Sequence, residues 1–108
     1  MNQSNLENMD KGWFIGDFDP SIIKTDLFEA AVKYYKAGAY EPRHYHRMAR
    51  EITVIVDGVV EMNGRRYGKG DIIDIQPHEP TDFRAITAAQ TAVIKVPSVK
   101  GDKFLVEP

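Results

Sequence analysis

Short β-rich segments that end in Xaa-Gly dipeptides constrain the middle of this chain more than any other feature. Residues 52–56 form the β-branched run Ile-Thr-Val-Ile-Val, which strongly favours a strand. Asp57-Gly58 follows this run and Asn63-Gly64 follows residues 59–62; both dipeptides are favoured two-residue hairpin turns. The pattern predicts a strand, a return strand at 59–62, and a third strand that begins at Arg65.

Other segments have the length and composition of strands as well. The segment FEAAVKYYK at 28–36 has helical propensity. We interpret it as a strand with Val32 and Tyr34 on one face, and with Lys33 and Tyr35 on the other. Further extended segments are predicted at 13–18 (as an edge strand), 22–28, 72–75, 81–87, 91–96 and 104–106. So many short strands separated by turns predict one all-β domain, a sandwich or barrel of antiparallel strands.

Composition excludes several classes of protein. The chain has 108 residues, a net charge of −2 and no cysteine. A charge of this sign argues against a nucleic-acid-binding protein. Positive and negative residues are mixed along the chain, so no basic cluster is present that would bind a membrane surface. Neither a signal peptide nor an apolar run of about 20 residues is present, so we expect a cytoplasmic protein. Without thiolates, any metal must be held by nitrogen and oxygen ligands.

His44, His46 and Glu51 are the candidate ligands. In a strand, side chains alternate between faces, so His44 and His46 share one face while Tyr45 points away. Two imidazoles and a carboxylate from a neighbouring strand form the ligand set of non-haem Fe(II) sites, and zinc, manganese or nickel also accept it. The alternative is a metal-free pocket in which Glu51 accepts hydrogen bonds from the two histidines.

The spacing of these residues resembles the first motif of the cupin superfamily: Gly, five residues, His-x-His, three or four residues, Glu, six residues, Gly. Gly38, His44, His46, Glu51 and Gly58 satisfy every interval. The resemblance implies a single-domain cupin jelly-roll barrel whose site lies in the barrel interior or mouth. It also implies that these two histidines and the glutamate are the metal ligands.

The extent of the domain follows from the resemblance together with the polar N-terminus. We expect residues 1–12 to be a flexible leader and residues 13–108 to form the barrel. The part that resembles the cupin motifs spans about 30–97.

The second cupin motif is degenerate. It begins at Gly70-Asp71, and an ungapped alignment then places Thr81 where the family has a metal-binding histidine. A one-residue slip would place Asp82 there instead. We prefer Thr81, since this register directs Thr81 and Phe83 inward and Asp82 and Arg84 outward. The fourth ligand is therefore Thr81 or Asp82, and a weak one in the preferred register.

Further residues are candidates for ligand binding or catalysis. Arg43 and Arg50 flank the histidines and suit an anionic substrate, although solvated surface arginines are the simpler interpretation. Tyr34, Tyr35, Tyr45 and Phe83 are candidates for the pocket wall, and some of them belong to the core instead. His78, between two prolines, is a candidate acid/base group because its ordinary pKa lies near neutrality; an exposed loop residue is the alternative.

Three classes of function remain open on this sequence. The first is a metal-dependent enzyme, a dioxygenase or isomerase acting on a small polar or anionic metabolite. The second is a metal-free module that binds or senses a sugar-like small molecule, and the third is a metal-independent sugar epimerase or isomerase. The aromatic N-terminal strand and the exposed sheet edges also predict a homodimer.

Overall fold

The computed structural model describes residues 1–107. These residues form eleven strands, preceded by one 3₁₀ turn at Leu6–Asn8. The strands are β1 (Trp13–Gly16), β2 (Ile23–Lys24), β3 (Glu29–Tyr35), β4 (Tyr40–Tyr45), β5 (Arg50–Asp57), β6 (Val59–Met62), β7 (Arg65–Gly68), β8 (Ile72–Ile75), β9 (Thr81–Ala85), β10 (Ala89–Val96) and β11 (Phe104–Leu105).

The strands form two sheets of a jelly roll, as the sequence predicted. The first sheet has the order β2-β1-β3-β10-β5-β8 and the second β11-β4-β9-β6-β7. Every pair of neighbouring strands is antiparallel except β1 and β2, which are parallel. The predicted strand at 13–18 is shorter than expected and is not an edge, because β2 covers it.

The segment with helical propensity is a strand. β3 pairs with β10 residue by residue, from Glu29 opposite Lys95 to Tyr35 opposite Ala89. Lys33 and Tyr35 face the barrel interior, whereas Tyr34 is 71% exposed on the outside. Ladder hydrogen bonds to β10 therefore override the local helical propensity, as tertiary contacts commonly do.

Asn63-Gly64 forms the predicted two-residue hairpin. Asn63 and Gly64 have φ angles of 51° and 78°, and Met62 pairs with Arg65 across the turn. Two consecutive positive φ angles match the right-handed twist of the flanking strands. This hairpin joins β6 and β7 within the second sheet.

The prediction of a hairpin at Asp57-Gly58 was wrong. β5 belongs to the first sheet and β6 to the second, so the chain turns a corner between sheets at Gly58. Gly58 has a φ of +86°, and a Cβ there would lie 2.2 Å from the carbonyl oxygen of Ala88. The dipeptide correctly predicted a positive φ. A positive φ does not determine, however, whether the next strand pairs with the preceding one or joins the other sheet.

The turn after β9 lies earlier than predicted. β9 ends at Ala85 and β10 begins at Ala89, whereas the sequence predicted a turn at 88–90. The Thr87 hydroxyl accepts a hydrogen bond from the Val59 amide at 2.9 Å, and the Thr87 amide donates to the Val59 carbonyl at 3.2 Å. These bonds fix Thr87 against the start of β6, so it cannot extend β9.

The hydrophobic core lies between the two sheets. Its buried members come from five strands: Ile55, Val60, Met62, Ile75, Phe83, Ala85 and Ala89. Met62, Ile75 and Phe83 also line a cavity, so the core forms the floor of the candidate site. Within residues 1–107, no helix has the length and apolar character needed to cross a membrane.

Candidate functional site

The two motif histidines stand side by side at the end of β4. His44 and His46 are two residues apart in extended chain, and their ring centroids are 5.4 Å apart with the planes nearly perpendicular. His46 is 5% exposed. Both rings line a cavity of about 280 Å³ inside the barrel. The structure therefore places this pair on the interior face, as the alternation of side chains predicted.

Backbone carbonyls orient both rings. His44 Nδ1 lies 2.9 Å from the carbonyl oxygen of Pro42, and His46 Nδ1 lies 2.8 Å from that of Asp102. Because a carbonyl oxygen only accepts, each Nδ1 must donate its proton. In the neutral rings the lone pair is then on Nε2, which is the arrangement found in metal-binding histidines. Burial lowers the pKa of His44, which favours its neutral form.

Asp102 is a site residue that sequence reasoning missed. Its carbonyl oxygen holds His46, while its carboxylate accepts hydrogen bonds from the amides of Arg47, Met48 and Ala49 at 2.9–3.1 Å. Burial alone would raise the pKa of Asp102, but these amide hydrogen bonds hold it below its ordinary value. No local sequence pattern announces this residue, since it lies more than 50 positions from its partners.

Glu51 enters the cavity from β5. Its Oε2 accepts a hydrogen bond from the Thr53 hydroxyl at 2.9 Å. Its Oε1 is 3.5 Å from His46 Nε2, which is an ion-pair distance if the ring is protonated but is not a hydrogen bond. Burial opposes ionisation of Glu51, yet contacts with His46, Thr53 and Lys95 together hold its pKa below the ordinary value.

His46 Nε2 is buried and has no hydrogen-bond partner among the described residues. An unpaired buried nitrogen costs free energy, and a bound cation or a ligand proton would satisfy it. Across residues 1–107, however, no three histidine or acidic side chains stand close enough together to hold one ion. The histidines are thus oriented as ligands, and Glu51 must approach them more closely for a three-ligand centre to form.

The strand register supports Thr81 over Asp82 at the fourth position. Thr81 pairs directly with His44 across β4 and β9, and it is 7% exposed and faces the cavity. Asp82 borders the cavity, but its carboxylate accepts a hydrogen bond from the Asn63 amide at 2.7 Å. Thr81, a hydroxyl rather than a third imidazole, therefore stands beside the histidines.

The structure does not bring every predicted site residue to the cavity. Phe83 lines it and packs against Tyr35, with ring centroids 4.5 Å apart. Arg43 and Arg50 point outward, where they bond to Asn63 and Asp74 respectively. Tyr34 also lies outside, so the tyrosine of β3 that faces the cavity is its neighbour Tyr35.

His78 lies in an exposed loop outside the cavity. Its ring stacks near Tyr45, with centroids 6.3 Å apart, and its backbone has a φ of 69°. Its amide donates to the carbonyl oxygen of His46 at 2.6 Å, so the loop is attached to the histidine pair through the backbone. The predicted acid/base role of His78 stays a prediction, and the side chain does not reach the cavity in this conformation.

Several cavity residues were not anticipated. Lys33, Glu41, Lys95 and Lys103 line it, and residues of the predicted leader, Asp10 and Lys11, border it too. The Tyr35 hydroxyl donates to Glu41 at 3.0 Å, and burial together with Glu41 strongly raises the pKa of Tyr35. The alternation of β3 placed Lys33 on the same face as Tyr35, which was a candidate for the pocket wall, and this was the signal that could have identified Lys33.

Comparison with known proteins gives the fold. No protein-family model matches the chain, and no curated protein does. Among solved structures, a double-stranded β-helix protein from Klebsiella pneumoniae superposes with a TM-score of 0.70 at 18% identity, covering 81% of each chain. An RmlC-like cupin from Shewanella frigidimarina superposes with a TM-score of 0.65 at 20% identity, covering 69% of this chain and 70% of that one. This chain therefore has the fold of the cupin superfamily, as its first motif predicted.

One similar structure is an enzyme. The DMSP lyase DddQ from Ruegeria pomeroyi superposes with a TM-score of 0.69 at 26% identity, over 98% of this chain. This chain spans 57% of the length of that lyase. The cupin fold of this protein is thus one on which enzymes are built.

Proposed function

We propose that this protein binds a divalent metal ion through His44, His46 and Glu51, and a small polar or anionic metabolite in the adjoining cavity. The observation that carries the proposal is the orientation of the two imidazoles. Each Nδ1 donates to a backbone carbonyl, so each ring in its neutral form presents the lone pair of Nε2. His46 Nε2 is in addition buried with no partner among the described residues, which is costly unless a ligand occupies it.

A bound divalent ion would supply Lewis acidity toward a ligand oxygen, or would lower the pKa of a bound water. The chain's own residues would contribute binding and protection from solvent. Phe83 and Met62 form an apolar floor, and Tyr35, whose pKa is strongly raised, donates its proton to Glu41, so its oxygen remains available to accept a hydrogen bond from a ligand. An enzyme of this kind would be a dioxygenase or an isomerase, and the similarity to a DMSP lyase is compatible with a small-molecule enzyme.

The volume of the cavity limits the ligand. At about 280 Å³ it lies just below the range of about 300–1,000 Å³ that holds drug-sized ligands. A small metabolite fits such a volume. Only one end of a nucleotide or an oligosaccharide could enter the cavity.

Metal analysis tests the proposal. Purified wild type is supplied in turn with Fe(II), Zn(II), Mn(II) and Ni(II) and is then desalted. The amount of bound metal per chain is measured by inductively coupled plasma mass spectrometry. We expect wild type to retain one ion per chain, and His44→Ala and Glu51→Gln to lose it. His78→Ala is the matched control, because it removes the remaining histidine of the chain from outside the cavity. The proposal is wrong if wild type carries no more metal than His44→Ala.

A second candidate function, a metal-free binding module, is favoured by one observation. No three candidate ligands are assembled within the described residues, and Glu51 already accepts a hydrogen bond from Thr53. In that case His46 Nε2 would accept a hydrogen bond from a ligand hydroxyl, as in a sugar-like molecule. A metal-independent sugar epimerase or isomerase would use the same contacts. Retention of ligand binding after treatment with EDTA, with equal binding by wild type and Glu51→Gln, would support this second candidate.

A further inference from the structure

Two lysines project into the cavity from the first sheet. Lys33 on β3 and Lys95 on β10 both place the Nζ atom over the ring of Trp13, at 5.1 Å and 4.9 Å from its centroid. Both side chains line the cavity that holds the motif histidines. The interior of the barrel is therefore cationic in part, although the chain as a whole is slightly acidic.

The two lysines differ in their partners. Lys95 Nζ lies 3.5 Å from the Glu29 carboxylate, and both side chains are largely buried. Lys33 has no carboxylate within 4.0 Å of its Nζ in the part of the chain that the structure describes. The nearby acidic side chains Glu41 and Glu51 already bond to Tyr35 and Thr53. Of the two lysines that the first sheet contributes, Lys33 is thus the one without a close carboxylate; Lys11 and Lys103 border the cavity from outside that sheet.

Thr91 provides a second, independent observation. It lies directly opposite Lys33 on the neighbouring strand β10 and faces the same cavity. The residue is 1% exposed, and its Oγ1 has no hydrogen bond of good geometry among residues 1–107; it lies near the Tyr35 hydroxyl, whose pKa it lowers slightly against the larger effect of burial. A buried hydroxyl without a partner destabilises the protein unless something else bonds to it.

We propose that Lys33 and Thr91 form a carboxylate-binding subsite, and that the occupant of the cavity is a small organic acid. The Lys33 ammonium binds the carboxylate, and the Thr91 hydroxyl bonds to another polar atom of the same ligand. A bound carboxylate gives Lys33 the counter-ion that a partly buried charge needs. This inference rests on the proposed use of the cavity as a ligand site, and it assigns anion recognition to Lys33 in place of the outward-facing Arg43 and Arg50.

The variants that test the subsite are Lys33→Met and Thr91→Val, which keep the shape of each side chain. Lys36→Met is the matched control, since Lys36 is an exposed lysine just beyond β3. Calorimetric titration with lactate, pyruvate and malonate is compared with titration with lactamide, the uncharged counterpart of lactate. Each protein is titrated twice, after EDTA treatment and after loading with metal.

We expect wild type and Lys36→Met to bind at least one of the carboxylates more tightly than lactamide. Lys33→Met should weaken that binding by about ten- to a hundredfold, which corresponds to the free energy that a hydrogen bond to a charged group contributes. Thr91→Val should weaken it by about three- to tenfold. Thr91→Val should also raise the Tm of the ligand-free protein, because it removes an unpaired buried hydroxyl; a structural role for Thr91 would lower the Tm instead.

The inference is overturned if wild type shows no preference for the carboxylates, or if Lys33→Met binds them as tightly as wild type does. A lower Tm for ligand-free Thr91→Val would overturn the role given to that residue. These outcomes are read on EDTA-treated protein as well, so they do not depend on metal. If wild type binds no metal but still binds carboxylates more tightly than lactamide, the metal proposal is wrong and the proposed subsite is supported.

Discussion

Replacement of Asp102 by alanine should destabilise the barrel and loosen the segment whose backbone carbonyl holds His46. The Asp102 carboxylate accepts four hydrogen bonds from three consecutive amides, with Arg47 and Ala49 each bonding one oxygen and Met48 bonding both. Alanine leaves all three amides without this acceptor. Hydrogen bonds to a charged group contribute about 1.5–3 kcal/mol each when buried, but Arg47 and Met48 are exposed residues whose amides water can reach.

Only the amide of Ala49, a residue that is 2% exposed, loses its partner in a fully buried setting. We therefore expect a loss of about 3 kcal/mol in the free energy of unfolding, dominated by that one amide. For a domain of this size, about 3 kcal/mol corresponds to a decrease in Tm of roughly 12–24 °C. Asp102→Asn keeps one acceptor oxygen and should lose less.

Thermal unfolding followed by far-ultraviolet circular dichroism measures this change. Asp74→Ala is the control, because Asp74 is an exposed carboxylate paired with Arg50 on the outer surface, where ion pairs contribute little. Metal affinity is measured on folded protein at low temperature, and it should fall by about tenfold or less in Asp102→Ala, because alanine keeps the backbone carbonyl that bonds to His46 and only the segment carrying it is loosened. A Tm within a few degrees of wild type would refute the assignment of Asp102 as the anchor of this loop.

Three further predictions follow from other parts of the fold. In urea denaturation, Gly58→Ala should lower the free energy of unfolding far more than Gly64→Ala. Both glycines have a positive φ, but only a Cβ at position 58 would meet backbone, at 2.2 Å from the Ala88 carbonyl oxygen. Equal losses of free energy in the two variants would contradict the assignment of a sheet-to-sheet corner at Gly58. Burial lowers the pKa of Lys33, so the unfolded chain binds more protons and wild type should gain stability relative to Lys33→Met as the pH rises toward about 10. A flat difference between the two proteins would refute this; the other charged groups that act on Lys33 are Glu41, Glu51, Lys95 and Lys103. By light scattering, the predicted homodimer should have twice the chain mass of 12.2 kDa. Ile94 is exposed on the outer face of the first sheet, and Ile94→Glu should reduce the measured mass to that of the monomer. A monomeric wild type would contradict the prediction of a dimer.

The parts of the site that could be predicted are those fixed by local periodicity. His44 and His46 share a face because strand side chains alternate, and this needs only the strand to exist. The choice of Thr81 over Asp82 followed from the same rule applied to β9, and pairing of Thr81 with His44 supports it. The cupin motif added the position of Glu51, which lies on another sheet from the histidines.

The parts that could not be predicted depend on contacts between distant segments. Asp57-Gly58 carries a true signal for a positive φ, yet which sheet receives the next strand depends on packing against Ala88. Arg43 and Arg50 are close to the histidines in sequence, but alternation and partners on the surface turn them outward. The positive charges at the cavity come instead from lysines, among them Lys33 on the inner face of β3.

The support of His46 by Asp102 also sets the order in which the site is completed during synthesis. The two residues are 56 positions apart, and strands β1 to β10 all precede Asp102. At about 5–20 residues per second, translation separates them by on the order of several seconds. During that interval the imidazole of His46 has no carbonyl partner to fix its tautomer. His46 therefore gains the carbonyl that fixes its tautomer only when the C-terminal segment, which carries Asp102 and β11, folds back beside β4.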